Sequence, residues 1–148
     1  MSFSKNVVNT KKRILFLCVA NSCRSQMAEG LVRHYLGDYF DVESAGIIAT
    51  YVNPYAIRVM NELGIDISSY RSKDISEFNE HNFDIIITLC DEGDAVCPEW
   101  FGGGEKIHIP FIDPVKTKGT DEEITKAFRA VRDDMKEKLI PFLKKKLQ

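Results

Sequence analysis

The run Asp84-Ile-Ile-Ile-Thr-Leu-Cys90 constrains the fold more than any other stretch of this chain. It is continuously apolar and β-branched where a half-exposed strand would alternate, so it reads as a strand buried on both faces of a parallel sheet. Arg13 to Cys18 reads as a first buried strand, Phe40 to Ala45 alternates like a second, and Lys106 to Ile109 makes a short one before Pro110. Helical patterns lie between and after them. Ser25 to Leu36 is stopped by Gly37, and a second helix starts at Pro54, carries Ala56, Val59, Met60 and Leu63 on one face, and closes at Gly64. From Asp121 onward Ile124, Phe128, Val131, Met135, Leu139 and Phe142 recur at helical spacing, in a long helix that Pro141 can kink. Strands alternating with helices predict an α/β fold, a three-layer open parallel sheet of about four strands flanked by helices.

The chain has 148 residues and a hydrophobic fraction of 44%, enough for one domain, 1–148, with a loosely held polar lead over residues 1–11. A net charge of -2 and a pI near 5.9 give no reason to expect nucleic acid, and Lys144-Lys145-Lys146 reads as a solvated helix end. Lys11-Lys12-Arg13 before Ile14 to Ala20 looks superficially like a signal peptide, but the apolar run stops at Asn21-Ser22 and lacks a small-residue cleavage site. No stretch approaches the about 20 apolar residues of a membrane span. The expectation is a cytoplasmic protein without a membrane partner, whose four cysteines are reactive or metal-binding thiols.

In an open parallel sheet, ligands bind beyond the carboxyl ends of the strands. Cys18, Cys90 and Asp113 all fall there. Cys18-Val-Ala-Asn-Ser-Cys-Arg24-Ser25 joins the first strand to the first helix. Backbone N–H groups of such a loop, from Val19 to Arg24, and the positive end of the helix can cradle a tetrahedral oxyanion, with Arg24 gripping two of its oxygens. The same field lowers the pKa of a cysteine, so Cys18 is expected to be a thiolate nucleophile. An arginine at a helix N-terminus is otherwise electrostatically misplaced, which favours an anion between the two. Asn21 suits a left-handed turn in the loop, and the hydroxyls of Ser22 and Ser25 can reach the loop or the Cys18 sulfur, while Ser25 can also cap the helix.

Directly after the buried strand, Cys90-Asp-Glu-Gly-Asp-Ala-Val-Cys97 holds two cysteines in an acidic, glycine-containing segment. Their ends can approach to a disulfide only if the segment loops or unwinds, so oxidation there would entail a local rearrangement. A four-cysteine zinc site fits poorly, since the spacings are wide and Arg24 would oppose a cation. Gly102-Gly-Gly104 reads as a flexible turn, Trp100 and Phe101 as packing under the cysteine segment, and His34, His81 and His108 as structural.

Cys18 to Gly30, CVANSCRSQMAEG, together with Asp113-Pro114 and the pair Cys90 and Cys97, resembles the low-molecular-weight tyrosine phosphatase superfamily, and its thioredoxin-coupled arsenate reductases in particular. The resemblance implies that Cys18 attacks arsenate, that Cys90 and then Cys97 resolve the product as disulfides, that thioredoxin regenerates the thiols, and that Asp113 is a general acid. It marks Cys23 as part of the loop and outside the relay. It implies no tightly bound cofactor but a potassium ion among Asn21, Glu29, Ser44 and Asp74, whereas Glu29 read alone is a solvent-facing helix residue. Phosphatases of the superfamily usually follow the Asp-Pro pair with aromatic residues, and Val115-Lys116 stand here. The other readings are a tyrosine phosphatase using Cys18, Arg24 and Asp113, and a non-enzymatic redox or oxyanion sensor. Ala20 stands where the loop often has glycine; a positive φ there would cost about 1 kcal/mol.

Overall fold

The computed structural model describes residues 11–78 and 82–148. The readings of residues 1–10 and of His81 lie outside them. Four strands, β1 (Lys12–Cys18), β2 (Phe40–Gly46), β3 (Ile85–Thr88) and β4 (Glu105–His108), form one parallel sheet in the order β2-β1-β3-β4. Among the described residues three α-helices join and follow them, α1 (Arg24–Leu36), α2 (Pro54–Asn61) and α3 (Asp121–Lys145). The chain leaves β1 for β2 on one side and returns to β3 on the other, so the strand order reverses at the carboxyl end of β1. A crevice opens there. Cys18, opposite Gly46 in the register, is its first residue.

Alternation along β1 divides the core. Ile14 and Phe16 face Met27 and Leu31 of α1, Val59 and Met60 of α2, and Phe128, Met135 and Leu139 of α3. Leu15 and Leu17 face the opposite way and join Ala45, Ile86, Phe78, Phe83 and Trp100. Among the described residues that second face is covered by a short 3-10 turn, Ile75–Phe78, and by the loop bearing Trp100, so this outer layer is thinner than the first. Trp100 packs edge-on to Phe83 at 5.7 Å. Phe101, expected beside it, is instead 88% exposed, in a turn where Trp100 Nε1 donates to the Gly103 carbonyl at 3.1 Å.

β3 is shorter than the apolar run that predicts it. Its partner β4 ends at His108, opposite Thr88, and Leu89 and Cys90 lie beyond the strand while staying buried; the Leu89 N–H still donates to the Leu17 carbonyl at 2.9 Å. α2 starts with Pro54 at its first turn, and Gly64 beyond it takes φ +75. α3 begins in a capping box of Thr120 and Glu123 and runs through Pro141 to Lys145. Among the described residues no helix is long and apolar enough to cross a membrane.

Candidate active site

The loop between β1 and α1 turns on Asn21, which has φ 49 and is the one non-glycine residue at positive φ among those described. Ala20 therefore carries no such strain. The Asn21 side chain is fully buried and tied at both ends: Oδ1 accepts from the Lys73 N–H and from Gln26 Nε2, each at 2.8 Å, and Nδ2 donates to Ser25 Oγ at 2.7 Å and Ser44 Oγ at 2.9 Å. The backbone donor of Lys73 sets which end is oxygen. Gly46, closing β2, makes the loop fit. A Cβ there would lie 2.6 Å from the Val19 carbonyl oxygen and 2.7 Å from the Asn21 nitrogen, and only its absence lets the two chains touch.

Cys18, Val19, Ala20, Ser22, Cys23 and Arg24 line one side of a cavity of about 380 Å³, with Gly93 to Val96 and Asp113, Val115 and Lys116 completing it. Asn21 works from behind the cradle and does not line it. A larger hollow, about 470 Å³, lies at the amino ends of the strands around Lys11, Arg13 and Phe40, away from every thiol. Cys23 is the N-cap of α1 and makes no capping bond with its side chain, and the first turn holds no acid, so the end of the helix presents its N–H groups to an anion. Ser25 does not cap. Its hydroxyl accepts from Asn21 and lies 2.8 Å from Cys18 Sγ, which leaves its own proton for the sulfur. Ser22 enters the loop's bonding through its carbonyl, which accepts from the Asn53 N–H at 2.9 Å.

Arg24 is buried, and both ends of its fork are occupied. Nη1 and Nη2 donate to the two carboxylate oxygens of Asp94 at 2.7 and 2.9 Å, Nη1 also reaches the Phe111 carbonyl at 3.2 Å, and Asp113 Oδ2 stands 3.5 Å from Nη2. Its Nε is buried without a partner, a donor that an oxyanion would satisfy. The bond to Arg24 holds the Asp94 carboxyl down at about 2. Asp113 caps its own 3-10 turn through the Val115 N–H at 3.0 Å and accepts from Cys23 Sγ at 3.6 Å. Burial, reinforced by Asp113 and Cys18, pushes the Cys23 thiol up, which keeps it a neutral donor and agrees with a place in the loop rather than in sulfur exchange.

All four cysteines are free thiols. Cys90 is buried at the end of β3, and Cys97 is partly exposed. Burial, then the neighbouring Cys97 thiol, pushes the Cys90 thiol up. The segment between them forms no helix or strand. It is held by the Asp94 to Arg24 pair, by an Asp91 turn in which the Gly93 N–H donates to Oδ1 at 3.0 Å, and by Lys116 Nζ on the Gly93 carbonyl at 2.5 Å.

Among the residues assigned to potassium, Asn21, Ser44 and Glu29 are linked by hydrogen bonds. Glu29 is 2% exposed, against its reading as a solvent-facing residue; Ser44 donates to its Oε1 at 2.5 Å and Asn21 donates to Ser44. Burial pushes the Glu29 carboxyl up against the pull of Lys73. Asp74 Oδ1 accepts from the Ser76 N–H at 2.9 Å, and a cation of the chain, Lys73 Nζ, stands 3.4 Å from Glu29 Oε1. His108 Nδ1 pairs with Thr88 Oγ1 at 2.7 Å, and His34 packs edge-on to Tyr35.

Asp94 and Lys73 are the site residues that sequence reasoning missed. Their partners lie 70 and 44 positions away, and no local pattern announces such a pair.

Residues 13–148 match the model of the low molecular weight phosphotyrosine protein phosphatase family. An arsenate reductase of Halalkalibacterium halodurans is 48% identical over 89% of this chain and 95% of its own length. A solved arsenate reductase in the phosphate binding state superposes with a TM-score of 0.76 at 36% identity, over 90% of this chain and 98% of that one. A thioredoxin-dependent arsenate reductase of Corynebacterium glutamicum has a TM-score of 0.62 at 27% identity, over 90% of this chain and 63% of that one.

Proposed function

The chain belongs to the low molecular weight phosphotyrosine protein phosphatase family, and from that premise we propose that it reduces arsenate to arsenite with its own thiols and that thioredoxin restores them. The observation that carries this reading is Cys90. A phosphatase of this design needs one thiol beneath an oxyanion; this site adds a second, buried just beyond the adjacent strand, with the partly exposed Cys97 following in the same loop. Relatives that are arsenate reductases at up to 48% identity support the same assignment.

The Cys18 thiolate attacks arsenic, forming a sulfur–arsenic bond as one oxygen leaves as water, with Asp113 placed to supply the proton. Cys90, deprotonated, attacks Cys18 Sγ. The sulfur–arsenic bond breaks, its electron pair passes to arsenic, As(V) becomes As(III), and arsenite departs from a Cys18–Cys90 disulfide. Cys97 then attacks Cys90 and frees Cys18 as a thiolate. The Cys90–Cys97 disulfide accepts two electrons and two protons from a thioredoxin dithiol, and a cytoplasmic setting, where thiols are kept reduced, suits the cycle.

Arg24 and Asp94 link substrate to relay. An oxyanion entering the cradle competes with Asp94 for the guanidinium, and release of Asp94 frees the segment between the resolving thiols. The test is arsenate-dependent oxidation of NADPH with thioredoxin and thioredoxin reductase. Sustained turnover by the wild type and none by Cys97→Ser supports the reading; hydrolysis of an aryl phosphate unaffected by Cys90→Ser, with no arsenate turnover, makes the protein a phosphatase.

A further inference from the structure

The buried chain of hydrogen bonds behind the loop ends on a cation that the protein itself supplies. Lys73 is 7% exposed, and its Nζ lies 3.4 Å from Glu29 Oε1 and 3.7 Å from Glu43 Oε1. Arg33 approaches the same carboxylates from its own side, 3.0 Å from Glu29 Oε2 and 3.9 Å from Glu43 Oε1. Two carboxylates therefore face two cationic side chains, and the charges balance without an added ion. A potassium ion on Glu29 would be pressed against the Lys73 ammonium where burial leaves like-charge repulsion poorly screened. These residues do not fit a resident metal ion.

Lys73 controls Asn21 by two routes. Its N–H donates to Asn21 Oδ1 at 2.8 Å, while its carbonyl accepts at 2.9 Å from the N–H of Gly46, the residue whose missing side chain admits the loop. Its ammonium holds Glu29, which accepts from Ser44, whose oxygen in turn accepts from Asn21 Nδ2. Asn21 maintains the left-handed turn and donates to Ser25, the hydroxyl that touches Cys18. We propose that the Lys73 ammonium is the resident cation that positions the oxyanion loop, so that loop order in this chain requires no monovalent metal ion. Lys73 touches neither Cys18 nor the cavity wall and is a positioning residue.

The experiment compares the full chain in potassium chloride and in N-methyl-D-glucamine chloride of equal ionic strength, reading the thermal midpoint and the affinity for inorganic phosphate. The wild type gives the same midpoint and affinity in both salts. Lys73→Ala binds phosphate about tenfold more weakly in the organic salt, as for loss of a supporting shell around a site, and potassium restores both affinity and midpoint. A wild-type midpoint or affinity that rises with potassium overturns the proposal, and that measurement needs no variant to fold. A Lys73→Ala protein that binds phosphate like the wild type, or whose loss potassium does not repair, overturns it as well. Only the affinity arm rests on the loop as an oxyanion site. Wild-type protein that ignores phosphate would refute that reading, and the midpoints would still decide the role of Lys73.

Discussion

Asp94 grips Arg24 with both carboxylate oxygens, at 2.7 and 2.9 Å, from inside the segment that separates Cys90 from Cys97. A planar carboxylate on a guanidinium fork is the intramolecular counterpart of the oxyanion that the loop is shaped to hold. With all four thiols free, the Arg24 fork is thus occupied by a residue from between Cys90 and Cys97. On the proposed relay, arsenate binding and the motion that brings sulfurs together draw on this one contact.

Removing the internal competitor should improve binding. Asp94→Ala is expected to bind phosphate about tenfold more tightly than wild type, because a larger share of molecules has Arg24 available. Its Cys97 should also react faster with iodoacetamide. Calorimetry and mass spectrometry read the two effects, and unchanged affinity would show that Asp94 does not compete.

The same pair sets an acid limit. Arg24 holds the Asp94 carboxyl at about 2, below its ordinary 3.8, so the ionised form stabilises the fold above pH 3.8 and that contribution is lost as pH falls through about 2. In denaturant titrations the wild type should exceed Asp94→Asn at about pH 5, and the gap should close towards pH 2 as both side chains become neutral. A gap independent of pH would contradict the pairing.

Gly46→Ala tests the contact between β2 and the loop. Its Cβ would fall 2.6 Å from the Val19 oxygen and 2.7 Å from the Asn21 nitrogen, both backbone atoms that cannot swing aside. The expected cost is about 1–3 kcal/mol of stability, with phosphate binding impaired beyond what unfolding explains.

Ser25→Ala deletes the hydroxyl 2.8 Å from Cys18 Sγ and leaves the sulfur short of a donor. A hydrogen bond to a charged group contributes about 1.5–3 kcal/mol, so arsenate turnover should fall roughly 10- to 100-fold. Stability should change far less. Turnover at the wild-type rate would remove Ser25 from the catalytic residues.

What the sequence disclosed about this site follows range along the chain. Cys18, Asn21 and Arg24 are legible because strand, turn and helix start are local events, and the left-handed Asn21 is a conformational preference seen in one residue. The buried run to Cys90 showed the parallel sheet for a similar reason, although β3 stops at Thr88, where its partner β4 ends at His108. Asp94 read as acidic content of a mobile segment, since nothing within several residues indicates that Arg24 will meet it. Lys73 was hidden in the same way, and Glu29 looked like a surface helix residue because its burial depends on Ser44 and Lys73 arriving from elsewhere. Phe101 failed for the opposite reason. Its neighbour Trp100 is buried against Phe83, while the turn that follows leaves Phe101 outside.

The most direct test of the relay is a single turnover of fully reduced protein with arsenate and no external reductant, counting arsenite released per chain. Wild type and Cys97→Ser should each release one equivalent, the variant stopping at a Cys18–Cys90 disulfide, and Cys90→Ser should release none. An equivalent of arsenite from Cys90→Ser would contradict the assignment of Cys90 as the thiol that turns an oxyanion cradle into a reductase.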